Sequence, residues 1–371
     1  MMEKLKFLKF KPKTLLIAAC AIVVLIAIYS RNQLFNDGET TSLPRADGQS
    51  YYASKSLRDV NIVGWTAYWD EKNTLASLKE SATLLATFSP ILYRIESGGS
   101  LGRINVLYKK EMFELARINN LAIIPVIGDD FDFERVSLLL YDLDSQEKFI
   151  NQLIDEARVE NFGGFDLDIE SLKKKDKEAF TAFVTNASKK LHENNLEFNV
   201  VVFGRDGNDD NPSALAQDYK ELGEVADEIR IMMYGAHDES TGPGGQAPIA
   251  WIEAVLAYTL ASGVPKEKVV VGLSTHGYDW NGRDATALTY GLIEEKIGDA
   301  TSSVILDKGA SSAIYKYEDE DKHEVWFENA QTLKQKMLLI LNKYGIDKFA
   351  LWRIGAEDPK FWEELRLDQP N

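Results

Sequence analysis

The chain has 371 residues, 45% of them hydrophobic, and a formal charge of −16. That composition supports a full core and excludes a largely disordered chain. The acidic balance excludes a nucleic-acid partner, which needs clustered Lys and Arg, and the single Cys20 leaves no disulfide framework.

In chain order, residues 1–13 form a basic segment with Lys4, Lys6, Lys9, Lys11 and Lys13. An uncharged apolar stretch follows, 14–29, its length falling between a signal-peptide core and a membrane span. The lysines predict a cytoplasmic N-terminus with the rest of the chain outside a cell membrane. Ile28-Tyr29-Ser30 offers no small-x-small cleavage site, so a transmembrane anchor is favoured over a cleaved signal. Ile17-Ala18-Ala19-Cys20 resembles a lipobox, but apolar residues continue beyond it, as in a membrane helix. Residues 30–58 are polar and aperiodic, a linker whose root-mean-square reach, if flexible, is some 30 Å.

From 59 to 371 short β-branched or aromatic runs alternate with amphipathic stretches. Eight runs qualify as strands: 61–69, 87–95, 121–127, 164–170, 198–204, 228–234, 269–275 and 348–353. Phe180, Phe183, Val184, Ala187 and Leu191 share one face of a helix between the fourth and fifth. Such alternation predicts right-handed crossovers, a parallel sheet and an α/β fold of the (β/α)8 barrel type. The stretch from about 281 to 327, between the seventh and eighth strands, reads as a small insertion containing a hairpin of 313–317 and 323–327. We expect a monomer.

The fourth run, FGGFDLDIES (162–171), carries Asp166, Asp168 and Glu170 at alternate positions. Alternation puts these acids on one face, inside the barrel, and Phe165, Leu167 and Ile169 on the other. Carboxylates roughly 6.5 Å apart in a poorly solvated interior repel, so one or more should hold a proton near neutral pH. A held proton is what a general acid needs. A carboxylate metal site is the competing reading, but His ligands at metal spacing are missing, and neither GGSLGR (98–103) nor GPGGQ (242–246) ends as a P-loop does. Neither a metal nor a cofactor is expected.

GGFDLDIE resembles the D-G-x-D-x-D-x-E signature of glycoside hydrolase family 18, with Gly163 in place of the first acid. IMMYGAH (231–237) followed by Gly242-Pro243, GLSTHGYDW (272–280), HEVWFENAQT (323–332) and ALWRIGAEDP (350–359) are similar to its spore-cortex and cell-wall N-acetylglucosaminidase branch. The resemblance spans roughly 61–364. It implies substrate-assisted hydrolysis. In that scheme Glu170 is the acid and later the base, and Asp168 orients the substrate's acetamido group. Asp166 shares a proton with Asp168, and Tyr234 hydrogen-bonds the acetamido oxygen. Trp352 matches the tryptophan that floors the sugar pocket. Trp65, Tyr68, Trp69, Tyr93 and Trp280 sit near strand ends as candidates for further sugar subsites. The family's Asp after the sixth-strand Tyr is replaced by Gly235, with His237 or Asp238 as partial substitutes. The third-strand S-x-G-G is replaced by VIGDD (126–130).

The expected function is hydrolysis of β-1,4 bonds at N-acetylglucosamine-type sugars by a membrane-tethered, exported enzyme. Its partner is an N-acetylated polysaccharide, with peptidoglycan and chitin both open and endo or exo cleavage undecided. The alternative is a glycan-binding protein on the same barrel that does not cut.

Overall fold

The computed structural model describes residues 56–367, apart from 283 and 299–302. The basic segment, the apolar stretch and nearly all of the expected linker lie outside the described residues. Among the described residues no helix is long and apolar enough to cross a membrane.

Each of the eight expected runs overlaps a strand of one closed parallel barrel. The strands are Asn61–Thr66, Thr87–Ile95, the pair Ala122–Ile123 and Val126–Gly128, Gly164–Asp168, Glu197–Phe203, Ile229–Met232, Val269–Ser274 and Lys348–Trp352. The eighth strand pairs with the first from Asn61↔Lys348 to Gly64↔Leu351, and the first pairs with the second, which closes the cylinder. The third strand is broken at Ile124-Pro125, where proline has no N–H to give the ladder. A short antiparallel strand, Leu101–Arg103, hangs from the second.

Alternation along the strands separates two apolar layers. Phe165, Leu167 and Ile169 are fully buried in the large outer layer between strands and helices, with Phe180, Phe183, Val184, Ala187 and Leu191 of helix Lys177–His192. A smaller layer of Val63, Trp65, Val126, Val201, Met232, Val270 and Ala350 fills the barrel's interior. It forms the floor beneath the strands' C-terminal ends.

The insertion starts at Gly277 rather than near 281. It is a five-stranded antiparallel sheet, Gly277–Asn281, Asp284–Leu288, Ile305–Asp307, Ser312–Glu318 and Lys322–Phe327, with helix Tyr290–Ile297. The expected hairpin is its centre, with Ala313 opposite Phe327 and Tyr317 opposite His323. A buried ion pair joins this sheet to helix Ala330–Tyr344: Lys336 Nζ donates to Glu328 Oε1 at 2.6 Å, which also accepts from Ser312 Oγ at 2.7 Å.

Candidate active site

A cavity of about 720 Å³ opens at the C-terminal end of the barrel, where barrel enzymes place their chemistry. Asp168 and Glu170 line it together with Trp65, Tyr68, Trp69, Tyr234 and Trp352. Trp65 is 2% exposed on the first strand and Trp352 ends the eighth, so both are fixed by the sheet. Tyr68 and Trp69 sit on the 3₁₀ turn Tyr68–Asp70 that ends the first strand earlier than expected, and they project at the rim. Trp69 meets Trp352 edge to face with ring centres 6.4 Å apart.

Three candidates stand elsewhere. Tyr93 is 1% exposed in the outer layer, packed against Phe162 and Phe165, and its hydroxyl donates to Glu156 at 2.8 Å. The cause is a register shift between Ile91 and Tyr93. Ile91 faces the barrel interior and strict alternation would place Tyr93 with it, but the irregularity turns Tyr93 outward. Trp280 is nearly fully buried within the insertion, because Gly277–Asn281 belongs to that sheet and not to the seventh barrel strand. Tyr278, two residues earlier, lines the cavity. His237 is turned into its own loop, donating from Nδ1 to the Gly242 carbonyl at 2.9 Å, while Asp238 lines the cavity. Gly235 has φ +93°, a conformation in which an aspartate would be strained, so this loop and the family's Asp are incompatible at that position.

The three acids of the fourth strand have different surroundings. Asp166 is fully buried and its oxygens accept from Arg230 Nη1, Ser89 Oγ (2.6 Å), Trp65 Nε1 (3.1 Å) and Asn199 Nδ2 (3.0 Å). Three of these donors meet Oδ2, and Asn199 alone meets Oδ1. Oδ1 therefore keeps a free lone pair, which leaves room for the proton expected to be shared with Asp168. Arg230 also donates to Glu228, which accepts from Lys348 at 2.9 Å. Burial alone would raise the Glu228 carboxyl, but Arg230 and Lys348 bring it below its ordinary range.

Asp168 and Glu170, nearer the mouth, have no cation within ion-pairing distance among the described residues. Asp168 Oδ1 is buried with no hydrogen-bond partner. Burial pushes Asp168 well above the usual carboxylate range, and the charges of Glu170, Asp129 and Asp166 push it further. Burial first, and then the charge of Asp129, raises Glu170 to about 7. Tyr234 is raised by burial and by the charges of Asp168 and Glu170, so its hydroxyl stays a donor. The site therefore offers a carboxylic acid that keeps its proton to neutral pH, a second carboxyl beside it, a phenol donor and an aromatic floor. That is a general-acid constellation in a pocket sized for sugar rings. Among the described residues, no group of three or more His, Cys, Asp or Glu is arranged to hold a metal ion.

Two important residues were not singled out from sequence. Arg230 is a lone cation in the apolar run EIRIMMY (228–234), a signal for a buried counter-charge. Asp129 lies in VIGDD, two acids closing a barrel strand at its C-terminal end, where position alone marks a site residue.

The comparisons with known proteins agree with this geometry. The profile of the glycosyl hydrolases family 18 matches residues 22–357. An uncharacterized glycosylase of Bacillus subtilis, YvbX, is 25% identical over 365 residues, covering 95% of this chain and 98% of its own. The cortical fragment-lytic enzyme of the same organism is 25% identical over 303 residues, covering 78% and 69%. The crystal structure of the Bacillus megaterium spore cortex-lytic enzyme SleL superposes with a TM-score of 0.76 at 25% identity, over 85% of this chain and 76% of that one. A chitinase from Chromobacterium violaceum gives the same TM-score at 22% identity, over 83% and 98%, a likeness of fold. With the matched profile spanning most of the described residues and the acid row at the mouth of a closed barrel, the chain belongs to the glycosyl hydrolases of family 18 and is a glycosidase.

Proposed function

We propose that the enzyme cleaves β-1,4 bonds beside N-acetylated sugars with help from the substrate's own acetamido group, and that its natural polymer is peptidoglycan. The observation that carries this reading is the Asp168–Glu170 pair: two half-buried carboxyls lining one cavity without a cation, the outer one raised to about 7. Glu170 donates its proton to the glycosidic oxygen as the bond to the anomeric carbon breaks. The acetamido carbonyl oxygen closes onto that carbon from the opposite face, giving an oxazolinium ion. Asp168 accepts from the acetamido N–H and offsets the positive charge, and Tyr234 donates to the acetamido oxygen. Glu170, now a carboxylate, takes a proton from the water that opens the ring, so the configuration is retained. Trp352 presents a flat apolar surface to the sugar's C–H face, above the buried Trp65 of the floor.

The polymer assignment draws on the cortical fragment-lytic and cortex-lytic names of similar proteins. A tether formed by the basic segment and the apolar stretch 14–29 would hold the barrel outside the cell membrane, near such a wall. We propose this topology, with a monomeric barrel, on the sequence pattern alone. Mass spectrometry of products from purified peptidoglycan and from N-acetylglucosamine oligomers tests the substrate. Peptidoglycan fragments with a new N-acetylglucosamine reducing end support the reading. Cleavage of chitin oligomers alone contradicts the polymer, and cleavage of neither contradicts the activity. A thiazoline mimic of the cyclised acetamido group should inhibit, and a covalent ester on Asp168 trapped by a 2-fluoro sugar would refute the substrate-assisted step.

A further inference from the structure

The strand that carries the acids stops at Asp168, so Glu170 projects from backbone that the barrel ladder no longer holds. Another residue holds it. Asp129, 3% exposed at the end of the third strand, accepts the Glu170 N–H at 2.9 Å and the Ser171 N–H at 2.6 Å through Oδ2. Through Oδ1 it accepts the N–H of Phe131 at 3.0 Å. One carboxylate thus ties the loop after the third strand to the turn that carries the acid.

That loop is itself under strain. Asp130 and Phe131 have φ of 50° and 56°, a left-handed pair without glycine. Each such residue costs on the order of 1–2 kcal/mol, and a bulky one is a genuine outlier, so the conformation persists only where surrounding bonds enforce it. Asp129 supplies one such bond, and the Asp132 cap of helix Phe133–Tyr141 supplies two on the other side. Phe131, 72% exposed, is held at the cavity's edge as a result.

The charges around Glu170 complete the observation. Asp168 faces it from its own strand, Asp129 and Asp130 from the third-strand loop, Tyr234 and Asp238 from the sixth strand and its loop, and Tyr278 from the insertion. Asp130 is paired with Arg94 at 3.4 Å and Arg135 at 3.6 Å. Among the described residues no cation pairs with Asp129.

We infer that Asp129 is a positioning residue for Glu170, fixing the backbone from which the acid projects and setting an uncompensated negative charge beside it. The inference rests on Glu170 being the acid of the proposed reaction. The charge disfavours loss of the proton from Glu170, in the same direction as burial. An aspartate suits the place because one short acceptor must meet three amides, which an asparagine with a single acceptor oxygen cannot do equally.

The test is the pH profile of kcat/KM on peptidoglycan or N-acetylglucosamine oligomers for wild type, Asp129→Asn and Glu170→Gln. With the charge gone, Glu170 gives up its proton more readily, so the alkaline limb of Asp129→Asn should move down by about one pH unit. A folded Asp129→Asn with its alkaline limb unmoved overturns the inference, even if its rate is lower, since a merely structural residue would scale the profile without shifting it. Glu170→Gln separates the two claims: full activity there refutes the assignment of the acid itself, whereas its loss beside an unmoved Asp129→Asn limb refutes only the role of Asp129. Should Asp129→Asn not fold, amide exchange in the unmodified protein decides. Protected Glu170 and Ser171 amides are expected, and exchange at the rate of a free loop overturns the inference.

Discussion

The lower and upper halves of the barrel interior treat the same residue type in opposite ways. Below, Asp166 and Glu228 are met by Arg230 and Lys348, and Asp166 also accepts from Ser89 and Asn199. Above, Asp129, Asp168 and Glu170 crowd together among the cavity's lining residues without a cation. Burial penalises a lone charge severely, and a paired one much less. The lower cluster is therefore organised for a stable closed barrel, and in the upper one Asp168 and Glu170 hold protons at the expense of stability. Proximity to the mouth, not residue type, separates structure from chemistry on one strand.

The largest effect that can break this contrast comes from the lower cluster. Arg230→Met strands Asp166 as a buried unpaired carboxylate and should cost about 3–5 kcal/mol in chemical denaturation. A loss below about 1 kcal/mol would mean that the ion pair does not hold the lower barrel. Combining Arg230→Met with Asp166→Asn should recover part of the loss, because the stranded charge is gone.

The upper cluster should respond with the opposite sign. The folded-state pKa of Glu170, about 7, lies above its ordinary 4.5. The folded protein keeps a proton on Glu170 that the unfolded chain releases, so the contribution of Glu170 to stability falls as pH rises from about 4.5 to about 7 and is constant outside that window. Glu170→Gln removes this penalty and should be more stable than wild type by about 2–3 kcal/mol at pH 8, with no gain at pH 4. Equal midpoints at pH 8 would remove the contrast.

The smallest effect concerns the floor. Trp352→Ala should raise KM for an oligosaccharide about tenfold, the value of a lost stacking surface, while changing kcat less. A fall in kcat with KM unchanged would give Trp352 a part in the transition state instead.

The barrel was legible because its strands are short, β-branched and separated by helical periodicity, and the Phe180–Leu191 face needed only spacing to be read. Asp166, Asp168 and Glu170 could be put on one face for the same reason. What spacing could not show is what stands opposite. Arg230 reaches Asp166 from two strands away and gives that carboxylate a buried cation. Tyr93 was misplaced because a register shift after Ile91 leaves no mark in an otherwise alternating run. Trp280 was misplaced because the first strand of the insertion follows the seventh barrel strand closely, and an apolar run reads alike in both sheets. Asp129 was visible only as an acid at a strand end, since its task is to bind backbone amides distant in the chain.

The account stands on Glu170 as the group that hands a proton to the leaving sugar, and the rate of Glu170→Gln measures that directly. On N-acetylglucosamine oligomers or peptidoglycan, at the wild-type optimum and with the fold checked by its melting curve, kcat should fall by about 10²-fold or more. A folded Glu170→Gln enzyme that keeps the wild-type rate would contradict the account.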